Sequence, residues 1–209
     1  MTEMLPLVCI VDDDTSVRDA LRRLIRSVGL RAEVFGSAQE FLQWSRPDVP
    51  TCLILDVRMP GISGLDLQRQ LSDADIQLPI IFVTAHGDIP MSVRAMKMGA
   101  VEFLTKPFRD QELLDAIQFA VERDRVRHLR QAEVTSLRER FESLTPRERE
   151  VVEMVASGML NKQIAARIGI TLNTVKVHRS RAMEKMQAQS LADLIKIVEK
   201  LQTPARKVS

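Results

Sequence analysis

Short apolar runs alternate with amphipathic segments over the first part of the chain. Apolar runs of four or five residues are typical of strands that are buried on both faces of a sheet. We predict strands at Leu7–Val11, Ala32–Phe35, Cys52–Leu55, Ile80–Val83 and Val101–Leu104. The segments between them have helical spacing and predict helices at Ser16–Val28, Ala38–Trp44, Gly64–Leu71, Pro90–Met98 and from Gln111 onward. This alternation favours an α/β fold with a doubly wound, five-stranded parallel sheet.

The helical pattern does not end cleanly after the last strand. Residues 110–140 contain neither Gly nor Pro, and charged residues crowd the stretch from Glu122 to Arg140. We expect one long helix, or two nearly continuous helices, that link two domains. The charged part is interpreted as a solvent-exposed helix face rather than as a binding site.

A different pattern begins with the sequence LTPREREVV. Thr145 is predicted to be an N-cap, Pro146 suits the first helical position, and Glu148 completes a capping box. Gly158 ends this helix, and three more are predicted at Lys162–Ile168, from Thr171 or Asn173 to Met186, and at Leu191–Leu201. A short helix, a turn with Gly and a basic helix form the layout of a helix-turn-helix.

The formal net charge of +2 conceals a division of charge along the chain. Residues 1–124 contain 13 Lys and Arg against 19 Asp and Glu, whereas residues 125–209 contain 17 against 9. We predict a first domain at 1–124, a helical linker at 125–141 and a second domain at 142–209 that faces a polyanion. The two Cys lie in apolar runs, as buried reduced thiols do, and no apolar stretch approaches the roughly 20 residues that span a bilayer. We therefore expect a cytoplasmic protein with no membrane partner.

Residues that carry chemistry stand at the carboxyl ends of three predicted strands. Asp12 and Asp13 follow the first strand, Asp56 the third and Lys106 the fifth. Because the carboxyl ends of parallel strands meet at one edge of the sheet, we expect these four residues to lie together. Three carboxylates and an ammonium group suit a divalent cation and a phosphoryl group.

Each of these residues also has a simpler interpretation. The three consecutive Asp could be a solvated turn that caps a helix, Asp56 could be a turn residue, and Lys106 a surface cation. Their occurrence at equivalent strand ends favours a site, and only Asp14 is interpreted as a cap alone. Thr84 is intermediate, since Thr is common at strand ends.

In order and spacing, these residues resemble those of response-regulator receiver domains. The matched residues are Asp12, Asp13, Asp56 with Met59-Pro60 and Gly64 after it, Thr84, and Lys106-Pro107. The segment TAHGDIPMSVRAMKMGAVEFLTKPF is similar to receivers of the FixJ subfamily, and the second half of the chain resembles a LuxR/FixJ-type output domain. The resemblance implies a flavodoxin-like receiver followed by an all-α, four-helix helix-turn-helix domain.

The resemblance also implies a role for each matched receiver residue. Asp56 would accept a phosphoryl group from a sensor histidine kinase, and Lys106 would pair with the phosphoryl oxygens. Mg²⁺ or another divalent cation would be held by Asp12, Asp13, Asp56 and the backbone carbonyl of Arg58. The Lys106–Pro107 peptide would be cis. Such a chain is a two-component regulator of transcription and not an enzyme.

Thr84 and Phe103 match the switch pair of these receivers. A phosphoryl group adds about −1.5 to −2 charge, and the Thr84 hydroxyl could donate to one of its oxygens. Phe103 would then turn into the vacated space and promote a homodimer. Many receivers have Tyr here, and Phe103 has no hydroxyl, so the signal would pass by packing.

For the second domain, the resemblance predicts contacts with double-stranded promoter DNA. Lys176, Val177 and Ser180 are assigned to base reading. The residues assigned to the DNA backbone are Asn161, Lys162, Thr174, His178 and Arg179. A symmetric dimer would recognise an inverted repeat and act with RNA polymerase. The alternative is a solvated basic helix in a protein-interaction bundle, which the positions of the caps and of the turn Gly disfavour.

Two other classes of function are open to the sequence. A phosphatase of the haloacid dehalogenase type also uses an Asp nucleophile with Mg²⁺. Its DxDx[TV] motif requires Thr or Val where this chain has Ser16, and it leaves the DNA-binding half unexplained. The second alternative is a DNA-binding protein with a vestigial receiver, which is disfavoured because the cluster is complete.

Overall fold

The computed structural model describes residues 5–85 and 87–202 of the chain. It divides into two compact units, one through His128 and one from Leu129 onward. The outer ends of the two predicted domains, residues 1–4 and 203–209, lie outside the described residues. The predicted boundaries at 124 and 141 remain predictions.

The first unit contains a parallel sheet of five strands in the order β2-β1-β3-β4-β5. The strands are β1 (Leu7–Val11), β2 (Arg31–Phe35), β3 (Thr51–Leu55), β4 (Ile80–Thr84) and β5 (Glu102–Thr105). Val11 lies opposite both Phe35 and Leu55, and Thr84 lies opposite Thr105. The strands therefore end along one edge, as predicted, and each begins or ends within one residue of its predicted bounds.

Four helices connect these strands: α1 (Thr15–Ser27), α2 (Ala38–Gln43), α3 (Gly64–Asp73) and α4 (Ile89–Lys97). Each begins at a side chain that accepts hydrogen bonds from the first helical N–H groups; these caps are Asp14, Ser37, Ser63 and Asp88. The interpretation of Asp14 as a cap is confirmed. Such caps satisfy N–H groups that have no partner within a helix.

The three central strands, β1, β3 and β4, are buried on both faces, and their alternate residues enter two separate apolar clusters. Leu7, Cys9 and Val11 enter one cluster, whereas Val8 and Ile10 enter the other. Both thiols are free and buried, as expected, and burial raises the pKa of Cys9 to about 12. These apolar strands fix the carboxyl edge of the sheet, where the polar residues of the predicted site lie.

After β5 the chain continues as α5 (Asp110–Glu142), a single helix of 33 residues. Of the two alternatives predicted from the sequence, the structure has one long helix rather than two nearly continuous helices. Its segment from Glu122 to Arg140 is mostly exposed, and ion pairs such as Arg125–Glu122 line its surface. No helix in residues 5–85 and 87–202 is long and apolar enough to cross a membrane.

The second unit has four further helices: α6 (Pro146–Ala156), α7 (Asn161–Ile168), α8 (Leu172–Met186) and α9 (Leu191–Gln202). Thr145 and Glu148 form the predicted capping box at the start of α6. The core contains the predicted inward residues Ile164 and Val175, with Ala165, Ile168 and Met183 packed against it. The four-helix prediction is confirmed.

Candidate functional site

The carboxyl edge of the sheet collects the polar residues predicted to form a site. Asp12 follows β1 and Asp56 follows β3, while Thr84 ends β4 and Lys106 comes directly after β5. The backbone ties these ends together: Asp56 N–H donates to the Val11 carbonyl at 2.9 Å, and Lys106 N–H donates to the Thr84 carbonyl at 2.8 Å. Strand register thus brings residues from four strands to one place.

Lys106 connects the first acidic pair to the third strand. Its Nζ lies 2.7 Å from Asp12 Oδ2 and 4.0 Å from Asp56 Oδ2. Asp12 and Lys106 are 94 positions apart in the chain. The expectation that these residues meet is confirmed. The peptide between Lys106 and Pro107 is cis, as the resemblance implied.

Three carboxylates at this edge can share one cation. Asp12, Asp13 and Asp56 each offer a ligand atom, and these atoms lie within 4.8 Å of one another. Carboxylate oxygens at such spacing match the hard oxygen ligands that Mg²⁺ prefers. Arg58 is also at the site, because its N–H donates to Asp56 Oδ1 at 3.3 Å. Its carbonyl as a metal ligand remains a prediction.

Asp56 is a partly buried carboxylate in a crowded electrostatic setting. Burial raises its pKa above the ordinary range, and the nearby Asp12 carboxylate adds to this effect. The Lys106 ammonium, the Arg58 N–H and the Thr84 hydroxyl act in the opposite direction and lower that pKa. The net pKa stays raised, so ionised Asp56 carries an unfavourable energy that a cation or a covalent partner would relieve.

Gly64 is required by the close approach of α3 to the site. A Cβ at this position would overlap the carbonyl oxygen of Asp56 and touch the Leu55 side chain. The Gly64 N–H donates to the Val57 carbonyl at 3.0 Å, which holds the start of α3 in that place. Any side chain at 64 would push α3 away from Asp56.

The predicted switch pair lies beside this edge. Thr84 is buried at the end of β4, and Phe103 on β5 is partly buried and tilted against Phe82, with ring centroids 5.9 Å apart. Gly87 passes close above the ring: a Cβ there would lie 2.8 Å from Phe103 Cε1 and 2.8 Å from Thr105 Cγ2. The loop before α4 therefore packs directly on Phe103.

In the second unit, α8 presents one polar, basic face to solvent. Lys176, Val177, Ser180 and Arg181 are exposed, whereas Val175, Ala182 and Met186 are buried. The three predicted base-reading residues thus share the exposed face. Val177 is apolar and yet 41% exposed, which suits an apolar contact with a partner.

The residues predicted to contact the DNA backbone border this face. Thr171 is the cap of α8 and accepts from the Thr174 N–H at 3.1 Å, which settles the choice between Thr171 and Asn173. Gly169 ends α7 with a positive φ of 71°. Arg179 Nη1 donates to Asn161 Oδ1 at 3.4 Å, so α7 and α8 are joined at their polar surface. Lys162 is exposed, and His178 is partly buried.

Two features of the structure were not predicted from the sequence. Arg18 on α1 contacts the backbone carbonyl of Asp12, and Lys185 on α8 pairs with the buried Glu148 of the capping box at 2.7 Å. Arg18 stands six residues after Asp12, near the start of a helix that the sequence does predict. Its proximity was therefore available as a signal, whereas the pairing of Lys185 with a residue on another helix was not.

Two protein families match the two halves of the chain. Residues 8–118 match the response regulator receiver domain, and residues 142–198 match the bacterial regulatory proteins of the luxR family. The match to the receiver family covers more than half of the chain.

Several proteins are similar to this chain over nearly its whole length. Nodulation protein W of Bradyrhizobium diazoefficiens is 57% identical over 195 residues, which cover 93% of this chain and 86% of the relative. The response regulator protein TodT of Pseudomonas putida is 48% identical, covering 96% and 88%. The transcriptional regulatory protein FixJ of Azorhizobium caulinodans is 40% identical, covering 94% and 93%.

Two solved structures of relatives are also similar to this chain. The response regulator StyR is 50% identical with a TM-score of 0.84, covering 94% of this chain and all of the other. Full-length FixJ from B. japonicum is 37% identical with a TM-score of 0.54, covering 93% and 96%.

Proposed function

Because this chain belongs to the family of two-component response regulators with a LuxR-type DNA-binding domain, we propose that phosphorylation of Asp56 by a sensor histidine kinase controls its dimerisation and DNA binding. The observation that carries this proposal is the meeting of Asp12, Asp56 and Lys106 at one edge of the sheet. The phosphatase alternative is wrong, since the first half of the chain matches the response regulator receiver domain and the second half matches regulatory proteins of the luxR family.

The proposed reaction is transfer of a phosphoryl group between two side chains. An oxygen of Asp56 attacks phosphorus, the bond from phosphorus to the donor imidazole nitrogen breaks, and that nitrogen keeps the electron pair. The product is an acyl phosphate on Asp56. Lys106, whose Nζ is 4.0 Å from Asp56 Oδ2, would neutralise the charge on the phosphoryl oxygens.

The acidic cluster fits the divalent cation on which receiver domains generally depend. We propose that Asp12, Asp13, Asp56 and the Arg58 carbonyl hold Mg²⁺. When bound, the cation neutralises the carboxylates and orients the phosphoryl oxygens. Without a cation, three carboxylates face a single ammonium group, and that excess of negative charge opposes the approach of a phosphoryl donor.

The proposed switch begins at Thr84. A phosphoryl oxygen on Asp56 competes for the Thr84 hydroxyl, which already supplies a hydrogen bond that lowers the pKa of Asp56. Movement of Thr84 would open space for the Phe103 ring, whose packing under Gly87 links it to the loop before α4. The surface formed by α4, β5 and α5 would change shape and pair with a second copy.

The proposed output is binding to promoter DNA by a symmetric dimer. The exposed face of α8 would enter the major groove, with Lys176, Val177 and Ser180 at base edges. Lys162 and Arg179 would contact phosphates and supply most of the salt-dependent affinity. A dimer of two such units would recognise an inverted repeat in the cytoplasm, where a bacterial chromosome lies. A contact with RNA polymerase remains a prediction of the resemblance.

Light scattering and footprinting on the full chain test this proposal. Beryllofluoride with Mg²⁺ should roughly double the mass and create protection of an inverted repeat selected from random DNA. Asp56→Asn should abolish both effects, because the amide cannot form the adduct. Asp73→Asn, an exposed carboxylate on α3, is the matched control and should behave like the wild type.

Two results would contradict the proposal. A mass that beryllofluoride leaves unchanged across micromolar protein concentrations would contradict the proposal that phosphorylation promotes dimerisation. Equal DNA binding by wild type and Asp56→Asn in the presence of acetyl phosphate would support the vestigial-receiver alternative instead.

A further inference from the structure

Arg18, on the first turns of α1, reaches back to the loop that carries the acidic pair. Its Nη1 donates to the backbone carbonyl of Asp12 at 2.6 Å, and its Nη2 donates to Thr15 Oγ1 at 2.8 Å. These two acceptors stand at the beginning and the end of the segment Asp12–Thr15, which follows β1 and ends at the first residue of α1. One planar guanidinium therefore joins both ends of this Asp12–Thr15 turn.

We propose that Arg18 is a positioning residue for the phosphoacceptor site, which fixes the Asp12–Thr15 turn and thereby sets the affinity for Mg²⁺. This inference rests on the proposed function, since it concerns the same site. By this inference, a residue of α1 positions the Mg²⁺ ligands that stand at the ends of the strands.

The hydrogen bonds of Asp12 explain why its carbonyl needs this partner. Asp12 Oδ1 accepts from the Asp14 N–H at 2.9 Å, Oδ2 accepts from Lys106 Nζ at 2.7 Å, and its N–H donates to the Phe35 carbonyl at 3.3 Å. The Arg18 contact completes this set at the carbonyl. Asp12 is thus held by Phe35 of β2, by Lys106 after β5 and by Arg18 of α1.

Asp13 depends on this turn more than Asp12 does. Asp12 is 2% exposed and is held by packing, whereas Asp13 is exposed. The position of an exposed carboxylate follows from the backbone that carries it. Because Arg18 joins the two ends of the turn, it restricts the backbone of Asp13 and keeps that carboxylate near Asp12 and Asp56.

Removal of Arg18 has two consequences of opposite sign for cation binding. Loss of a positive charge near three carboxylates would tighten Mg²⁺ binding, whereas loss of the two hydrogen bonds would loosen the turn and weaken it. Arg18 is only partly buried, so solvent screens its charge, and partners that orient metal ligands change affinity by about 10- to 100-fold. We therefore expect the loss of positioning to dominate.

Isothermal titration calorimetry with Mg²⁺ on the full chain tests this directly. Arg18→Met should raise the dissociation constant for Mg²⁺ about tenfold. Arg18→Lys should recover part of the affinity, because an ammonium can reach one acceptor but not span both. Arg22→Met is the matched control: Arg22 is one turn further along α1, pairs with Asp19, and should leave Mg²⁺ binding unchanged.

Phosphorylation by acetyl phosphate supplies a second measurement. At limiting Mg²⁺ the Arg18→Met chain should react more slowly than wild type, and at saturating Mg²⁺ its rate should return to the wild-type value. General damage to the fold would leave the rate low at every Mg²⁺ concentration. Thr15→Val removes one of the two contacts and should show a smaller loss of affinity, of about two- to threefold.

The outcomes separate this inference from the proposed function. Unchanged or tighter Mg²⁺ binding by Arg18→Met, with normal phosphorylation of the wild type, overturns the role of Arg18 alone. Wild-type protein that neither binds Mg²⁺ nor accepts phosphate overturns the proposed function. Should Arg18→Met fail to fold, Arg18→Lys and Thr15→Val decide the matter, and wild-type affinity in both would overturn the inference.

Discussion

Each unit of this protein contains a lysine paired with a buried carboxylate, and the two pairs have the same length. Lys106–Asp12 and Lys185–Glu148 are both 2.7 Å, and the carboxylate side chains are 3% and 4% exposed. Geometry alone would give them the same role. Their surroundings separate them.

The pair in the first unit stands among further negative charges. Asp13 and Asp56 lie beside it, and the pKa of Asp56 is raised by burial, with a contribution from Asp12. In the second unit, Glu148 also accepts from the Thr145 N–H at 2.9 Å, and its pKa is lowered, chiefly by the hydrogen bond from Lys185. An excess of carboxylates suits a cation, whereas a balanced pair connects two helices.

The largest expected effect concerns the first pair. Lys106→Met should slow phosphorylation of Asp56 by acetyl phosphate about a hundredfold, because it removes the cation placed at the developing charge. Phosphate incorporation measured by intact-mass spectrometry gives the rate. Lys97→Met, an exposed lysine on α4, is the control. A wild-type rate of phosphorylation in the Lys106 variant would mean that the Lys106–Asp12 pair has only a structural role, like the Lys185–Glu148 pair.

The second pair should respond in stability and not in chemistry. Lys185→Met leaves Glu148 buried without its cation and should lower the free energy of unfolding of the second unit by about 1–3 kcal/mol. Hydrogen exchange in peptides from α6 and α8 reports that loss. Phosphorylation of Asp56 should be unchanged.

A double variant sharpens this prediction. Glu148→Gln with Lys185→Met replaces both charges and should be more stable than Lys185→Met alone, since no unpaired charge stays buried. Equal or greater loss in the double variant would show that the capping box, and not the ion pair, carries the stability.

The smallest expected effect is a pH dependence of opposite sign in the two units. The folded pKa of Glu148 lies below its ordinary 4.5, so its stabilisation is present above about pH 4.5 and is lost as the pH falls through the lowered value. The folded pKa of Asp56 lies above its ordinary 3.8, so acidification through that raised value favours the folded first unit.

Hydrogen exchange from about pH 6 to about pH 3 without divalent cations measures both trends, since this range extends well below the ordinary pKa of Glu148. Exchange corrected for its intrinsic pH dependence should accelerate in α6 and slow near β3. Glu148→Gln should flatten the first trend and Asp56→Asn the second. A pH trend of the same sign in α6 and near β3 would contradict the predicted difference between the two units.

Much of the site could be predicted because its chemistry is local to strand ends. An apolar run followed by Asp12, Asp56 or Lys106 identifies a buried strand and the residue at its end. The capping residues Asp14 and Thr145 were equally readable, since a cap acts within three positions of itself. The pairing of Lys185 with Glu148 was not, because it depends on how two separate helices pack.

The sequence by itself determined which segments become strands and helices, which edge carries the carboxylates and which face of α8 is basic. Those properties follow from short-range backbone preferences and from the period of apolar residues. Only the tertiary structure decided that Lys106 binds Asp12 rather than Asp56, that Arg18 closes the turn, and that Gly87 covers Phe103. Differences of about 1 Å decide these contacts, and such distances depend on register and packing that no single segment encodes.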